Sequence, residues 1–563
     1  MMSRPVQRPD EKRAEGSSKG LAWVALVVVL SALVFVAVVR LRVADIPLER
    51  DEGEYAYAGQ LILHGVPPYR FSYNMKFPGT YYAYALTLAA LGETPRAIRI
   101  GLLIVNAITT GLVFLIGRRL LGELAAAAAA VAFALLSVDR WVMGIFAHAT
   151  HFVLLPALGG LWLLLRSMHS NRRPLDPLAG VLLGAAVLMK QHGVFFLLLG
   201  IAIVLWDETR REPRDLRLAA KRVALLMAGA LTPVALLIAV LAGQGVVERF
   251  WFWTFQGAAQ YVSELSLSDA PTTLLPSVRI ITRAMLPFWI LGGVGVLLLL
   301  LVRWGADARF FLSALFAASL LAISPGLYFR EHYFILLLPS VALFVGVALA
   351  SLVRIGNAAG FPRSARLLCV AFFGAMVLQY VANEGEYLFS MSADTLGGTL
   401  YGSSPFRAAI DIAGYLREHT NPDDRIAVLG SEPEIYFYAD RTSASGYIYT
   451  YPLMERQKYS SRMKDEMIRE IEAAHPKYLV FVQVPTSWLV HPQSDLKIFS
   501  WIERYTSQCY ELIGITEIDS IGQSHSYWEG ELKGYKPSPG NRVYTFLRKG
   551  DLACSVEASG FIP

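Results

Sequence analysis

The sequence predicts a polytopic α-helical membrane protein of about eleven transmembrane helices, followed by a C-terminal soluble α/β domain. Three observations lead there. Apolar residues make up 55% of the 563 and charged residues only 17%, whereas an average soluble domain is about 25% charged. The apolar residues come in long runs punctuated by Lys and Arg. Past residue 383 that texture ends, and short helix-like and strand-like segments alternate.

Composition excludes some readings. The net charge of +6 does not point to nucleic acid, because the cations punctuate apolar runs and form no single patch. Three cysteines are too few for a disulfide framework. Cys369 lies in an apolar run, while Cys509 and Cys554 fall in the polar tail and could pair in an oxidising space.

Residues 1–20 form a basic head with Arg4, Arg8, Lys12, Arg13 and Lys19. The apolar run 21–39 is about as long as a full span of ~20 residues, and no small-residue cleavage site follows it. It therefore reads as an uncleaved first helix rather than a signal peptide. Further runs cover 97–116, 124–138, 152–165, 178–189, 194–206, 223–242, 284–302, 310–329, 333–353 and 367–381. Several fall short of ~20 residues, so neighbouring residues must extend them or the helices must pack internally. The aromatic stretch 81–91 is too short to span and reads as an interfacial or re-entrant helix. No repeat of solenoid period occurs, and the alanine run 125–130 is simply compatible with helix.

Cytoplasmic loops retain Lys and Arg, and that bias sets orientation. With the N-terminus inside, the inside loops hold Arg118 and Arg119; Arg166, Arg172 and Arg173; and Arg210, Arg211, Arg214, Arg217, Lys221 and Arg222. Later inside loops hold Arg303 and Arg309, then Arg354, Arg363 and Arg366. The first outer loop, 44–96, departs from this pattern with Arg50, Arg70 and Lys76. An odd number of spans leaves the membrane domain at 21–382 and the tail 383–563 outside. In the tail, 406–419 reads as an amphipathic helix, 425–429 as a strand, 462–474 as a helix and 478–484 as a strand. Its aromatics at Tyr436, Phe437, Tyr438, Tyr447, Tyr449 and Tyr451 are expected in the core, with a membrane-resting or sugar-binding surface as the alternative.

The same threading gathers a mixed set of ionisable residues at the outer ends of the spans. They are Asp51, Glu52 and Lys76 in the first loop, His148 and His151 in the second, then Lys190 and the pair Arg330 and His332. Charge close to hydrocarbon costs several kcal/mol in unfavourable cases and commonly marks a pathway or site. Each residue also has a plainer reading. Asp51 and Glu52 suit the solvated start of a loop helix over 54–63. His148 and His151, one helical turn apart, could share a metal or cap a helix. Lys190 could snorkel to the interface. Arg330, Glu331 and His332 could form a local charge network. Convergence of four loops on one face favours the functional reading.

An acidic pair directly after the first span, then aromatics and the stretch Lys76-Phe77-Pro78, resembles the GT-C superfamily of glycosyltransferases. The nearest likeness is to the protein O-mannosyltransferase and lipid A aminoarabinose transferase group. Residues 117–122 (GRRLLG), 188–191 (LMKQ), 330–333 (REHY) and 336–339 (LLLP) support it, as does 430–436 (GSEPEIY) in the tail. The resemblance implies a bacterial plasma (inner) membrane enzyme that moves a sugar from a polyprenyl-phosphate donor to a glycan, lipid or protein acceptor on the extracytoplasmic face. It implies Asp51 as catalytic base, with Glu52 beside it. Lys76, Lys190, Arg330 and His332 are then candidates for the donor phosphate, with His148 and His151 as further polar contacts. Whether a divalent cation takes part stays open. The chain departs from relatives at Met75, where some carry Glu, and at Thr150, where many carry a second acid. The alternative is a non-enzymatic lipid-linked sugar transporter or glycan-binding membrane protein. Two similar halves with charges near the midplane would favour transport, and the sequence has no such halves.

Reporter fusions test the orientation: those at Gly122, Asp176 and Glu212 are expected in the cytoplasm, and one after Pro563 outside. A cytoplasmic signal from the last fusion would reverse the assignment of faces.

Overall fold

All eleven apolar runs fold as helix in the computed structural model, which describes residues 9–168, 175–212 and 214–550, with side chains from Gly20 onward. Arg172, Arg173 and Cys554, with its pairing to Cys509, lie outside the described residues, as do the side chains of Arg4, Arg8, Lys12, Arg13 and Lys19. Among the described residues, eight helices are long and apolar enough to cross a membrane. They are Gly20–Arg42, Pro95–Leu121, Ala149–Ser167, Gln191–Thr209, Leu216–Gly243, Ala306–Ile323, Glu331–Ala358 and Pro362–Asn383. The run 284–302 is the second arm of a broken pair, Leu267–Thr282 and Leu286–Leu301, bent by 113°. With the bent pair taken as one span, the described residues hold nine segments long and apolar enough to cross.

The remaining two runs are Glu123–Val138 and Leu175–Met189, of 16 and 15 residues. At about 1.5 Å per residue they reach roughly 22–24 Å, less than the ~30 Å of a hydrocarbon core. Packing makes this length tolerable. Every residue from Ala125 to Val138 is buried, so this helix satisfies its apolar surface against protein.

The chain divides into two units. A helical unit comprises residues 1–42, 99–236 and 265–390; a second comprises 43–98, 237–264 and 391–563, so that the first loop and the tail belong to one body. In the helical unit, Leu175–Met189 meets the Leu216–Gly243 helix backbone to backbone. A Cβ on Gly180 would lie 2.0 Å from the Leu226 carbonyl oxygen, and one on Gly184 2.2 Å from that of Ala230. Small residues are what permits such approach where lipid supplies no hydrophobic drive between helices. The same helices are joined by charge. Arg222, expected in a cytoplasmic loop, is instead buried inside the helix. It donates to Asp176 (2.7 Å), Asp207 (2.6 Å) and Glu208 (2.7 Å). The three acids explain the difference, since a buried guanidinium persists only when paired.

The second unit, here the tail unit, is built on a five-stranded sheet. Its strands are β1 (Ile426–Leu429), β2 (Tyr478–Gln483), β3 (Tyr510–Ile518), β4 (Ser524–Trp528) and β5 (Asn541–Arg548), in the order β1-β2-β5-β3-β4. Only β1 and β2 run parallel; β5 enters between β2 and β3 antiparallel to both, and β4 pairs antiparallel with β3. The first loop contributes helices α1 (Arg50–Leu63) and α2 (Gly79–Leu91), and the tail α3 (Phe406–Glu418), α4 (Glu434–Ala439), α5 (Ser460–Ala474) and α6 (Lys497–Cys509). The expected helices and strands at 406–419, 425–429, 462–474 and 478–484 are present to within two residues. The tail aromatics Tyr436, Phe437, Tyr447 and Tyr449 are buried, as the core reading expected.

Gly184→Leu is expected to force the helices Leu175–Met189 and Leu216–Gly243 apart. Overpacking of this kind costs about 1–3 kcal/mol. The unfolding temperature in detergent should fall and aggregated material in size exclusion should rise, whereas a wild-type profile would show that the backbone approach is unimportant.

Candidate active site

Helix α1 starts earlier than its composition suggests. The residue before it, Glu49, accepts from the Glu52 backbone N–H at 2.9 Å, and the Glu52 carboxylate receives the Glu49 N–H at 3.5 Å. This reciprocal cap satisfies two end donors, and the acids of the first turn suit the positive end of the helix. The helix therefore begins at Arg50, and its acidic pair is not a solvated prelude. Glu52 is fully buried and takes part in the cap, while the Asp51 side chain keeps 24% exposure.

Asp51 and Glu54 lie three residues apart on one face of α1, a spacing at which helical side chains are neighbours. Lys76 closes the pair. Its Nζ donates to Asp51 Oδ1 at 2.7 Å and to Glu54 Oε2 at 2.6 Å. Tyr449 donates its hydroxyl to the same Asp51 oxygen at 3.1 Å, and Tyr81 donates to Glu54 Oε1. Tyr69 fixes the lysine from behind by donating to the Lys76 carbonyl at 2.7 Å. The ammonium also stands 4.5 Å from the Tyr55 ring centre, within cation–π range. Sequence reasoning found Asp51 and Lys76 but missed Glu54, Tyr81 and Tyr449. The three-residue spacing of Asp51 and Glu54 was the available signal for Glu54; nothing local links Tyr449 to Asp51.

The tail positions this helix. Arg50 donates to the Ser431 carbonyl at 2.5 Å and to Glu432 Oε1 at 3.1 Å. Its guanidinium lies 5.4 Å from the Phe406 ring centre and 5.2 Å from that of Tyr451. Tyr57 accepts the Ser443 backbone N–H at 2.8 Å and stacks on Tyr436. At Gly53 the first turn of α1 touches α4 directly, because a Cβ there would fall 2.6 Å from that of Glu434.

Burial and charge compete in this cluster. Burial alone would lower the Lys76 proton affinity, but Asp51 and Glu54 outweigh it and hold the ammonium well above its ordinary value. Burial raises the Glu54 carboxyl; Lys76 opposes the rise and Asp51 adds to it. Burial, reinforced by Asp51, pushes Glu49 up to about 8. The arrangement leaves one partly exposed carboxylate, Asp51, held by a cation and a hydroxyl.

The helical unit gathers most of the remaining candidates. His148 precedes the helix Ala149–Ser167 and stacks on His332, ring centres 4.1 Å apart. His332 packs edge-on to Tyr333 at 4.8 Å, and the Lys190 ammonium sits 4.0 Å from the Tyr333 ring centre. His148, His332 and Lys190 thus share one aromatic row. Arg330 is exposed and lies over Tyr328. His151 takes a different partner, the Gly144 carbonyl at 3.1 Å. The two histidines of the second loop, which by spacing could share a metal or cap a helix, are directed to separate partners.

Residues 75–242 match the family model described as dolichyl-phosphate-mannose-protein mannosyltransferase. That stretch includes Lys76, His148, His151 and Lys190. No curated protein matches the sequence. Among solved structures, the chain is similar to ArnT from Cupriavidus metallidurans bound to undecaprenyl phosphate. The TM-score is 0.58 at 17% identity, covering 82% of this chain and 93% of that one. The apo state of the same ArnT gives a TM-score of 0.54 at 14% identity, covering 95% and 98%. The archaeal oligosaccharyltransferase AglB from Archaeoglobus fulgidus, in complex with an inhibitory peptide and a dolichol-phosphate, gives 0.52 at 13% identity, covering 93% and 76%. The GT-C resemblance read from the sequence is thus present in a stretch of family sequence and in an ArnT-like fold.

Glu49 supplies a pH signature. Its folded value of about 8 stands above the ordinary 4.5, so the folded state holds the proton more tightly. Stability from this group is complete below about 4.5 and is lost as pH rises through 8. The unfolding temperature should fall across that window, and Glu49→Gln, which keeps an acceptor for the Glu52 N–H, should flatten the profile. An unchanged slope in the variant would show that the buried charge lies elsewhere.

Proposed function

With an ArnT-like fold as premise, we propose that this membrane protein is a glycosyltransferase that moves a monosaccharide from a polyprenyl-phosphate donor to an acceptor on the extracytoplasmic face. One observation carries the reading. Asp51 is the partly exposed carboxylate beside the buried Glu52 and Glu54, oriented by Lys76 and Tyr449. An acceptor hydroxyl is a weak nucleophile until a positioned base takes its proton during attack.

In the proposed step the acceptor oxygen forms a bond to the anomeric carbon as its proton passes to Asp51. The bond from that carbon to the phosphate oxygen breaks on the opposite side, and the lipid phosphate departs as an anion with inversion at carbon. Lys76 holds Asp51 in position through its 2.7 Å bond to Oδ1. The departing phosphate needs positive charge that is already in place. Lys190, Arg330 and His332 are the residues proposed for it, with Arg330 able to grip two phosphate oxygens at once. His148 stacks against His332 and would set its ring plane. His151, bonded to the Gly144 carbonyl, shapes the turn before its helix. Glu52 supports the site through the helix cap.

Relatives support the donor class. Two proteins of similar fold are described in complex with undecaprenyl phosphate and with a dolichol-phosphate. Mass spectrometry of envelope glycans from a deletion strain identifies the sugar and the acceptor.

Asp51→Asn should abolish transfer, by about 10²-fold or more, while the protein inserts, elutes as wild type and still binds lipid phosphate. Near-normal turnover in the purified variant would remove Asp51 from the base role. Translocation of labelled donor lipid without sugar transfer by the wild type would instead favour a transporter.

A further inference from the structure

At the far end of α1 a second cluster forms, about 20 Å along the helix axis from Asp51 at 1.5 Å per residue. Three chain ends of the tail unit meet there: His64, which caps the carboxyl end of α1; Glu93, which follows Gly92 at the end of α2; and Asp440, which ends α4. One ligand atom from each lies within 4.8 Å of the other two. His64 Nε2 is 3.9 Å from Glu93 Oε1. The buried Gln60 donates its amide to the other Glu93 oxygen at 2.9 Å, which orients the carboxylate with Oε1 toward the histidine.

The charge of this cluster is unbalanced. Two carboxylates stand together, and no Lys or Arg is paired with either among the described residues. The adjacent Arg441 spends its guanidinium on the carbonyls of Arg417, Thr420, Ala439 and Asp440 and on the Thr420 hydroxyl. The carboxyl ends of α1 and α2 add partial negative charge of the same sign. An imidazole beside two carboxylates is a donor set for a borderline divalent cation, whereas magnesium and calcium prefer oxygen alone.

We propose that His64, Glu93 and Asp440 bind a divalent transition cation of the zinc class, with solvent completing the shell. Donor atoms about 2 Å from a tetrahedral metal stand roughly 3.3 Å apart, so the observed separations must shorten by about an ångström. The His64 and Glu93 side chains are 50% and 36% exposed and have room to make that movement. Gln60 acts as the outer partner that holds a ligating carboxylate, an arrangement common in metal sites. The bound cation joins the end of α1 to α4.

The test uses the full-length protein in detergent, stripped with chelator and titrated with zinc chloride in the absence of any donor lipid. Expected are one zinc per chain, a rise in unfolding temperature on zinc addition, and no such rise with magnesium. Asp440→Asn and Glu93→Gln preserve shape and should weaken zinc binding at least tenfold without lowering the metal-free unfolding temperature. His64→Ala should abolish binding. Absence of zinc uptake by the wild type overturns the proposal, and so does a bound zinc that all three variants retain with wild-type affinity. Because no transfer is measured, an inactive protein that binds zinc and an active one that does not are told apart.

Discussion

A single ammonium between two carboxylates organises the tail unit. Lys76 can satisfy Asp51 and Glu54 together only if α1 has begun by Arg50, so that the acids share a face one turn apart. That start depends on the Glu49 cap. Removing the lysine would leave two acids with a much weakened reason to ionise, one of them fully buried. The tyrosines around the trio, 69, 81 and 449, each direct a hydroxyl at the lysine backbone or at one of its partners. They convert a charge pairing into a fixed geometry.

Much of the membrane architecture was legible because bilayer and helix impose simple rules. An apolar run needs internal backbone pairing, so all eleven runs became helices. Their lengths were less legible. Glu123–Val138 is short because it buries against protein, and burial partners are a property of the whole fold. In the tail, the first two strands announced themselves by unbroken apolar residues, as in Ile426–Leu429. Strands β3 to β5 did not. β4 has no fully buried residue, so Ser524–Trp528 reads like a polar loop until it pairs with β3.

The site was half legible for a related reason. Asp51 and Lys76 were visible as charges in unexpected surroundings. Tyr449 was visible only as one aromatic among many, because its partner lies nearly four hundred residues away. Loop charge is instructive here too. Arg50 and Lys76 are two of the three basic residues that broke the expected pattern for an outer loop, and both have carboxylate partners inside the tail unit. Arg222 was counted among orientation charges and proves to be a buried tie between helices. A cation among spans is therefore informative in two ways, and only its partner distinguishes them.

The meeting of α1 with α4 at Gly53 has an evolutionary corollary. With no room for even a methyl group between the two backbones, neither surface can drift alone, and a change in the 430s must be answered near residue 53. Tails taken from other chains of this fold would not transplant as independent modules, however well they fold. Sequence change is then channelled to those parts of the tail that do not face the loop, while the loop and its inner lining descend together as one inherited piece.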